Sequence, residues 1–584
     1  MNPFTWIWQY VKPYTPRLII ASIFLILNAV LVVINPFLSG ILIDEVIGQN
    51  QPERLGKILL LMIGITFFRT VVRYTYQMLY EKSGQDAVFT LRNELYDKLN
   101  KMDFNFFNHT KVGDIMARMT GDTDAIRHFV SWVSYNIVEC IVWFLAAVIV
   151  MAYISWPLML ALVAVTPFIY LLAHSMTQKS MPRFLDIRES FARLNSMVEE
   201  NISGNRVVKA FVREDYEIEK FNRHNEDFKQ KNMASAKVTR DHLPTLDFLA
   251  NSLSVITLIF GGYLVIKDQM SIGDLVAFNG FLWMLNNPMR MSGWLINDVQ
   301  RFQASSIKIM DMLNYEPAIP VDNVSELPKL KGDIRFEHVN FEFADDPNTP
   351  VLKDISFEIK SGQTLGILGE TGSGKSTLVN LISRFYDPTK GTVYIDGKDA
   401  RDYSVRLLRN NISMVMQDIF LFSDTISENI AFGNPSVNQL FIREMARIAD
   451  ADTFINRMPD GYNTIVGERG VGLSGGQKQR ISLARALVKD PSILILDDTT
   501  SAVDMETEAK IQEELTKITS EKTTIIIAHR ISSVRDADLI LMMAKGRVVE
   551  QGTHAELVAK RGLYYDVYQK QLGIEGVAPT QSEL

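Results

Sequence analysis

The chain has 584 residues, of which 47% are hydrophobic and 22% are charged, with a formal net charge of -7. This length is too great for one domain and predicts about three or four, while the mild negative charge gives no support for nucleic-acid binding. The single cysteine, Cys140, excludes a disulfide or a cysteine metal cluster within one chain.

Residues 1–17 are rich in aromatic and basic side chains and lack the apolar core of a secretory signal. This composition favours an interfacial helix whose aromatic rings lie at the level of the lipid headgroups. We therefore expect the chain to meet the bilayer from its first residues.

Long apolar stretches fill most of the N-terminal half. The first has no charged residue over a length sufficient to cross a hydrocarbon core of roughly 30 Å. The predicted spans are residues 18–43, 58–80, 132–154, 157–178, 246–266 and 275–297. A turn at Ser155-Trp156-Pro157 is expected to separate the third span from the fourth. The sequence thus predicts an α-helical membrane domain over residues 1–313.

Loop charge predicts the orientation of these spans. The long loops at about 81–130 and 178–245 are rich in Lys and Arg, whereas the other loops are short and poor in them. Because basic loops stay on the cytoplasmic side, both termini are expected in the cytoplasm. Apolar residues at spacings of three and four in Glu81–Lys101 and Phe184–Asn201 indicate that the spans continue as helices beyond the membrane.

A few charged residues interrupt the predicted spans. They are Arg69, Arg73, Glu139 and Arg290. Such groups are costly at membrane depth and are expected to face the bundle interior or an aqueous cavity. Arg73 and Arg290 alternatively lie near helix ends and reach the interface with their long side chains.

A proline-containing linker is predicted at residues 314–331, followed by an α/β domain at 332–572 and a C-terminal tail at 573–584. Residues 364–368 have the pattern of a buried strand, and a helix is predicted from Leu378 onward. Between them lies a glycine-rich loop, Gly369-Glu370-Thr371-Gly372-Ser373-Gly374-Lys375-Ser376-Thr377. A strand, this loop and a helix form the context of a phosphate-binding loop.

Each part of this loop has a predicted role in binding ATP. Its backbone N–H groups approach the phosphates, Lys375 reaches the β- and γ-phosphates, and Ser376 is a ligand of Mg²⁺. A second apolar strand, Ile493–Asp497, ends in a carboxylate that is expected to hold the Mg²⁺ shell. The sequence therefore predicts ATP and Mg²⁺ as cofactors.

Further motifs resemble those of ATP-binding cassette (ABC) proteins. They are the signature Leu473-Ser474-Gly475-Gly476-Gln477, the Q-loop residue Gln417, the D-loop Ser501-Ala502-Val503-Asp504, the switch histidine His529 and an exporter-specific loop at Thr464–Gly470. Phe343 occupies the place of the tyrosine that usually stacks on adenine, and Phe106-Phe107, Gly113-Asp114 and Arg118 resemble a first intracellular loop. Over about residues 1–572, the chain resembles one half of a multidrug-type exporter.

The resemblance implies a mechanism that needs two halves. Each ATP would lie between the phosphate loop of one half and Ser474, Gly475, Gly476 and Gln477 of the other, with Asp504 nearby. It implies Gln417 as a further Mg²⁺ ligand, and Gln417, Asp498 and His529 as catalytic residues. Short helices near Val112–Arg118 and Val207–Asp215 are expected to dock on the nucleotide-binding domains.

Asp498 departs from the family pattern, which has glutamate at this position. The aspartate withdraws the carboxylate by one C–C bond, and the positioning of groups carries most of phosphoryl transfer. The chain therefore resembles the degenerate-site subunit of bacterial heterodimeric exporters. The alternative is a homodimer that uses Asp498 as a slower base.

The predicted function is ATP-driven export of amphipathic small molecules, drugs or lipids, from a bacterial cytoplasmic membrane. The partners implied are a second half-transporter, the lipid bilayer and a hydrophobic substrate. Another hypothesis is a membrane-tethered regulator that uses ATP only as a switch. A peptide exporter with processing activity would need a protease domain before residue 18.

Overall fold

The structure, a computed structural model, describes residues 2–321, 326–346, 349–499, 505–519 and 521–572. It divides into two compact units. The first unit is Met1–Asn100 with Thr110–Tyr315, and the second is Lys101–His109 with Glu316–Leu584. The tail at 573–584 lies outside the described residues.

Helices account for nearly all of the chain up to residue 314. They are α1 (Pro3–Val11), α2 (Thr15–Ile41), α3 (Leu55–Asn100), α4 (Phe104–His109), α5 (Val112–Ala117), α6 (Thr123–His128), α7 (Ser134–Val163), α8 (Thr166–Ser203), α9 (Asn205–Ala210), α10 (Glu214–Ile256), α11 (Gly262–Ile266) and α12 (Ile272–Asn314). All of them lie in the first unit except α4, which belongs to the second.

Four helical stretches of the described residues are long and apolar enough to cross a membrane. They are Pro3–Gly48, Pro52–Asn100, Val112–Val163 and Glu214–Ile266. They contain the first, second, third and fifth predicted spans. Most of the fourth span and all of the sixth lie in α8 and α12, outside these four stretches. The apolar core of the unit joins residues of α2, α7, α8, α10 and α12.

The predicted turn between the third and fourth spans lies inside α7. Ser155 leaves the helical region with φ -156° and ψ 101°, which relieves the clash that the ring of Pro157 would make with the carbonyl of Tyr153 in a continuous helix. A second interruption at residues 164–165 separates α7 from α8. The span predicted as 157–178 is therefore divided between two helices.

Prolines lie within five of the six long helices. They are Pro36 in α2, Pro157 in α7, Pro182 in α8, Pro244 in α10 and Pro288 in α12. Helix α3, with 46 residues, has no proline. Each internal proline removes one helical hydrogen bond and favours a bend.

The second unit contains two sheets. Its strands are β1 (Ile334–Phe341), β2 (Leu352–Ile359), β3 (Thr364–Gly369), β4 (Lys390–Ile395), β5 (Lys398–Asp399), β6 (Ile412–Val415), β7 (Ile493–Asp497), β8 (Thr523–Ile527), β9 (Leu539–Ala544) and β10 (Arg547–Gly552). An antiparallel sheet has the order β2-β1-β4-β5, and a larger sheet has the order β10-β9-β3-β8-β7-β6. All neighbours in the larger sheet are parallel except β9 and β10.

Helices cover these sheets and form a second core of their own. They are α13 (Lys375–Ile382), α14 (Val405–Asn411), α15 (Ile426–Ala431), α16 (Gln439–Ile448), α17 (Asp452–Ile455), α18 (Gly475–Val488), α19 (Met505–Thr519), α20 (His554–Lys560) and α21 (Leu563–Gln571). One apolar cluster joins both sheets to α13. Another joins α15, α16, α17 and α18.

Helix α4 packs within the second unit. The ring of Phe104 lies 4.4 Å from that of Phe385, and Asn108 donates a hydrogen bond of 2.7 Å to the hydroxyl of Tyr386. Asp103 accepts from the backbone N–H of Ala318 at 2.8 Å. A short helix near Val112–Arg118 is confirmed as α5, but residues 101–109 make the contacts described here, and docking of Val112–Arg118 stays a prediction. A short helix near Val207–Asp215 is confirmed as α9, and its docking stays a prediction.

Candidate functional site

The predicted site residues follow the carboxyl ends of parallel strands. β3, β8, β7 and β6 are neighbours in the larger sheet. Ile527, the last residue of β8, pairs with Asp497 of β7 and with Ile367 of β3. Parallel strands end at the same side of a sheet, which is where ligands bind in open α/β folds. The phosphate loop, Asp497 and His529 therefore begin at one side of the sheet.

The phosphate loop is a tight turn between β3 and α13. Gly369 has φ 154°, and a Cβ there would lie 2.3 Å from the carbonyl oxygen of Met543. Gly372 and Gly374 also have positive φ, at 83° and 99°. These positions require glycine because an L side chain would be strained or blocked. Helix α13 begins at Lys375, three residues earlier than predicted.

Lys375 lies inside this loop. Its Nζ donates to the carbonyl oxygens of Gly369 at 2.8 Å and Glu370 at 2.9 Å, and the residue is only 6% exposed. Burial lowers the pKa of Lys375, while Asp497 and Asp498 act in the opposite direction. The loop thus holds a buried ammonium group beside two carboxylates.

Ser376 and Asp497 meet although they are 121 residues apart in sequence. The Ser376 hydroxyl donates to the Asp497 carboxylate at 3.0 Å. Burial raises the pKa of Asp497 and Asp498 adds to the effect, whereas Ser376, Lys375 and His529 oppose it. A hydroxyl and a buried carboxylate are oxygen donors that suit Mg²⁺, and a cation would offset the cost of burying the carboxylate. These residues therefore fit the predicted metal.

Gln417 lies at the same side of the sheet but is exposed. It follows β6 by two residues, and β6 pairs in parallel with β7 through Val415 and Leu496. Among the described residues, its side chain makes no hydrogen bond to Ser376 or Asp497. Its predicted place in the metal shell therefore rests on the motif and its position.

Asp498 and His529 line one cavity, together with Thr499, Arg530 and Ser533. Asp498 has φ 50°, an uncommon conformation for a residue other than glycine. Its N–H donates to the Ile527 carbonyl at 3.0 Å. The structure brings this pair of predicted catalytic residues together. Asp504 and the rest of the predicted D-loop lie outside the described residues.

The signature serine caps helix α18. Ser474 Oγ accepts from the Gln477 N–H at 3.3 Å, and Gln477 Oε1 accepts from the Ser474 N–H at 2.9 Å. This reciprocal pair is a capping box, which satisfies two N–H groups at the helix start. Ser474 and Gly475 are exposed. The N-terminus of a 14-residue helix is therefore available to an anion from outside the unit.

Phe343 is half-buried among other aromatic rings. Its ring centroid lies 5.0 Å from Phe341 and 5.4 Å from Tyr386, with both pairs edge to face. The three rings line a small cavity that also includes Asn105 of α4. Sequence reasoning missed Tyr386, although an aromatic pair at 385–386 after the phosphate-loop helix was the available signal.

Comparison with known proteins agrees with this arrangement. One family profile, described as "ABC transporter transmembrane region", matches residues 18–289, and another, "ABC transporter", matches residues 352–501. The chain is 40% identical over 98% of both lengths to the uncharacterized ABC transporter ATP-binding protein YknU of Bacillus subtilis (strain 168). This chain belongs to the ABC transporters.

Further relatives define the architecture of this ABC transporter. It is 35% identical to the ATP-dependent lipid A-core flippase of Syntrophus aciditrophicus (strain SB), covering 98% of this chain and 95% of that one. The solved structure of a bacterial Atm1-family ABC exporter with ATP bound is 26% identical, with a TM-score of 0.81 over 97% of this chain and 99% of that chain. The chain is thus an ABC exporter half of type I fold. It has a helical membrane domain and an ABC ATPase domain, which binds ATP.

Proposed function

We propose that this chain is one half of an ATP-driven exporter of amphipathic small molecules, drugs or lipids, in a bacterial cytoplasmic membrane. The contact between Ser376 and Asp497 carries the ATPase part of the proposal, because it brings the phosphate loop and the strand-end carboxylate together. The lipid A-core flippase among its relatives supports an amphipathic substrate. The Lys- and Arg-rich loops support cytoplasmic termini.

The phosphate loop is proposed to hold the ATP phosphates. The N–H groups of Gly372 and Gly374 and the start of α13 supply donors, and Lys375 exchanges its bonds to the loop carbonyls for bonds to phosphate oxygens. Ser376, Asp497 and Gln417 would hold Mg²⁺, which neutralises phosphate charge. Phe343 offers a ring for adenine beside Tyr386.

A second half completes the site. Ser474, Gly475 and Gly476 are proposed to contact the γ-phosphate of ATP on the partner's phosphate loop. The exposed start of α18 supports this role, because its N–H groups and helix dipole favour an anion. Gln477 fixes the backbone of Ser474 through the capping box. Asp504 is proposed to belong to the same interface.

The partner is proposed to be a different half-transporter. Asp498 shares a cavity with His529, but its side chain is shorter by one C–C bond than that of the glutamate usual in the family. A displacement of about 1 Å can cost on the order of a hundredfold in rate. Hydrolysis would therefore depend mainly on the partner's phosphate loop, to which this chain supplies its signature.

Transport in membrane vesicles tests the function, with Lys375→Ala as the central variant. Removing the ammonium should abolish tight Mg-ATP binding to this subunit and ATP-dependent uptake of a fluorescent amphipathic dye into inverted vesicles. Lys390→Ala, at an exposed lysine of β4, is a matched control that should leave both unchanged. Unchanged ATP affinity in Lys375→Ala contradicts the site, and ATP binding without transport of dyes or lipids favours the regulator.

A further inference from the structure

The loop after β8 is held by a side chain from the last helix of the second unit. Gln571 of α21 donates from Nε2 to the carbonyl oxygen of His529 at 2.8 Å. Its Oε1 accepts from the N–H of Ile531, also at 2.8 Å. One side-chain amide thus bonds to the backbone on both sides of Arg530, and we call this pair of contacts the Gln571 bridge.

The backbone conformation of Arg530 makes the Gln571 bridge possible. Arg530 is extended, with φ -107° and ψ 134°. In an extended residue, the preceding C=O and the following N–H point to the same side, as in a β-strand. A glutamine amide presents a donor and an acceptor at matching spacing. The side chain of Gln571 therefore pairs with this loop as a neighbouring strand would.

A second contact holds the same loop from α19. Glu508 is buried and accepts from the Ser533 hydroxyl at 2.6 Å and from the Arg530 guanidinium at 3.4 Å. Ile531 is 3% exposed and belongs to an apolar cluster with Tyr564 of α21. The loop is thus anchored around His529, while the histidine itself is exposed beside Asp498.

We infer that Gln571 is a positioning residue for His529. The bridge fixes the peptide groups that flank Arg530, and so restricts the direction in which the His529 side chain leaves the backbone. The inference rests on the proposed role of His529 at the γ-phosphate. It adds that the last turn of α21 sets the orientation of that histidine without touching the nucleotide.

The test compares variants of the full chain in the purified transporter. Two rates are measured: steady-state ATP hydrolysis, and the release of radiolabelled ATP from this chain after dilution into unlabelled ATP. The labelled ATP that remains on this chain at each time is measured by ultraviolet crosslinking to this subunit. His529→Ala gives the reference change in each rate. The second rate reports on this chain's own site even when the partner's site carries most turnover.

Gln571→Met keeps the length of the side chain but removes both bonds. It should change each rate that His529→Ala changes, in the same direction, by about threefold to tenfold. Gln571→Glu keeps the acceptor for the Ile531 N–H but places a carboxylate oxygen against the His529 carbonyl oxygen, so it should change each rate at least as much as Gln571→Met. Gln569→Met removes only a bond to Tyr565 on the same helix and should match the parent chain.

A double-mutant cycle separates positioning from general stability. In a His529→Ala background, Gln571→Met should cause no further change, because both act through one side chain. The inference is overturned if Gln571→Met changes a rate as much in the His529→Ala background as in the parent chain. It is also overturned if Gln569→Met changes the rates as Gln571→Met does. If His529→Ala shifts a rate and Gln571→Met does not, only the inference fails. If His529→Ala shifts neither rate, the proposed role of the histidine fails as well.

Discussion

The exposed start of α18 allows the dimer proposal to be tested by substituting Ser474 and Asp498 separately. In a heterodimer, Asp498→Asn should alter steady-state ATPase activity less than about twofold, since the partner's glutamate would carry hydrolysis. Ser474→Arg should lower it by about a hundredfold or more, because it removes an anion contact and places bulk at the partner's γ-phosphate. In a homodimer, neutralising Asp498 should stop hydrolysis.

The structure bounds how much of the Ser474 effect can come from misfolding. Ser474→Arg removes one half of the capping box, the bond from the Gln477 N–H to Ser474 Oγ. Loss of an N-cap costs about 1 kcal/mol, a small part of the 5–15 kcal/mol that typically stabilises a domain. Ser474→Ala loses the same cap without adding bulk. It should lower activity much less than Ser474→Arg, with an equal shift in thermal unfolding.

ATPase measurements on the purified complex decide between the two dimers. The Lys375→Ala variant provides a subunit that cannot bind ATP tightly. The heterodimer is refuted if Asp498→Asn alone abolishes turnover and the protein purifies with one kind of chain. The role of the signature is refuted if Ser474→Arg unfolds normally and retains full activity.

The other predictions concern α4 and the part-buried Lys489. Phe104→Ala removes the ring contact at 4.4 Å from Phe385, worth about 1 kcal/mol, and should reduce vesicle transport while equilibrium ATP binding is unchanged. Phe107→Ala, at a ring that is 45% exposed, is the control. Full transport in Phe104→Ala contradicts a role of α4 in coupling ATP binding to transport. Burial lowers the pKa of Lys489 from 10.5 to about 8. Between these pH values the unfolded chain binds one proton more than the folded chain, so the free energy of unfolding should rise with pH across that window. The rise should be about 1–2 kcal/mol after allowance for the partial exposure of Lys489. Lys489→Met should remove this rise in thermal unfolding measured from pH 7 to 10.5, and an unchanged pH profile in the variant contradicts the assignment.

Local patterns predicted the parts of the site that local geometry determines. The phosphate loop was predictable because Gly369 and Gly374 must adopt positive φ, and that requirement is visible as glycine spacing. The capping serine of α18 is likewise a local signal. Contacts between distant segments were not predictable in this way. Asn108 and Tyr386 are 278 residues apart, and no periodicity relates them.

The interruption between α7 and α8 shows the limit of span prediction. Thr166-Pro167 places a proline in the first turn of α8, which is a helix-start signal. Hydropathy does not change there, so an apolar window passes through residues 164–165 without a break. The D-loop residue Asp504 remains a prediction, because it lies outside the described residues.

The absence of proline from α3 has a mechanical consequence. At 1.5 Å per residue, its 46 residues extend over roughly 69 Å as one uninterrupted hydrogen-bonded rod. A displacement applied at Asn100 reaches Leu55 with less loss than in the other five long helices, because α3 has no proline at which a helical hydrogen bond is missing. The five helices with internal prolines each contain such a site. Stiffness is thus distributed unevenly in the membrane unit, with one helix suited to transmit motion and the others suited to absorb it.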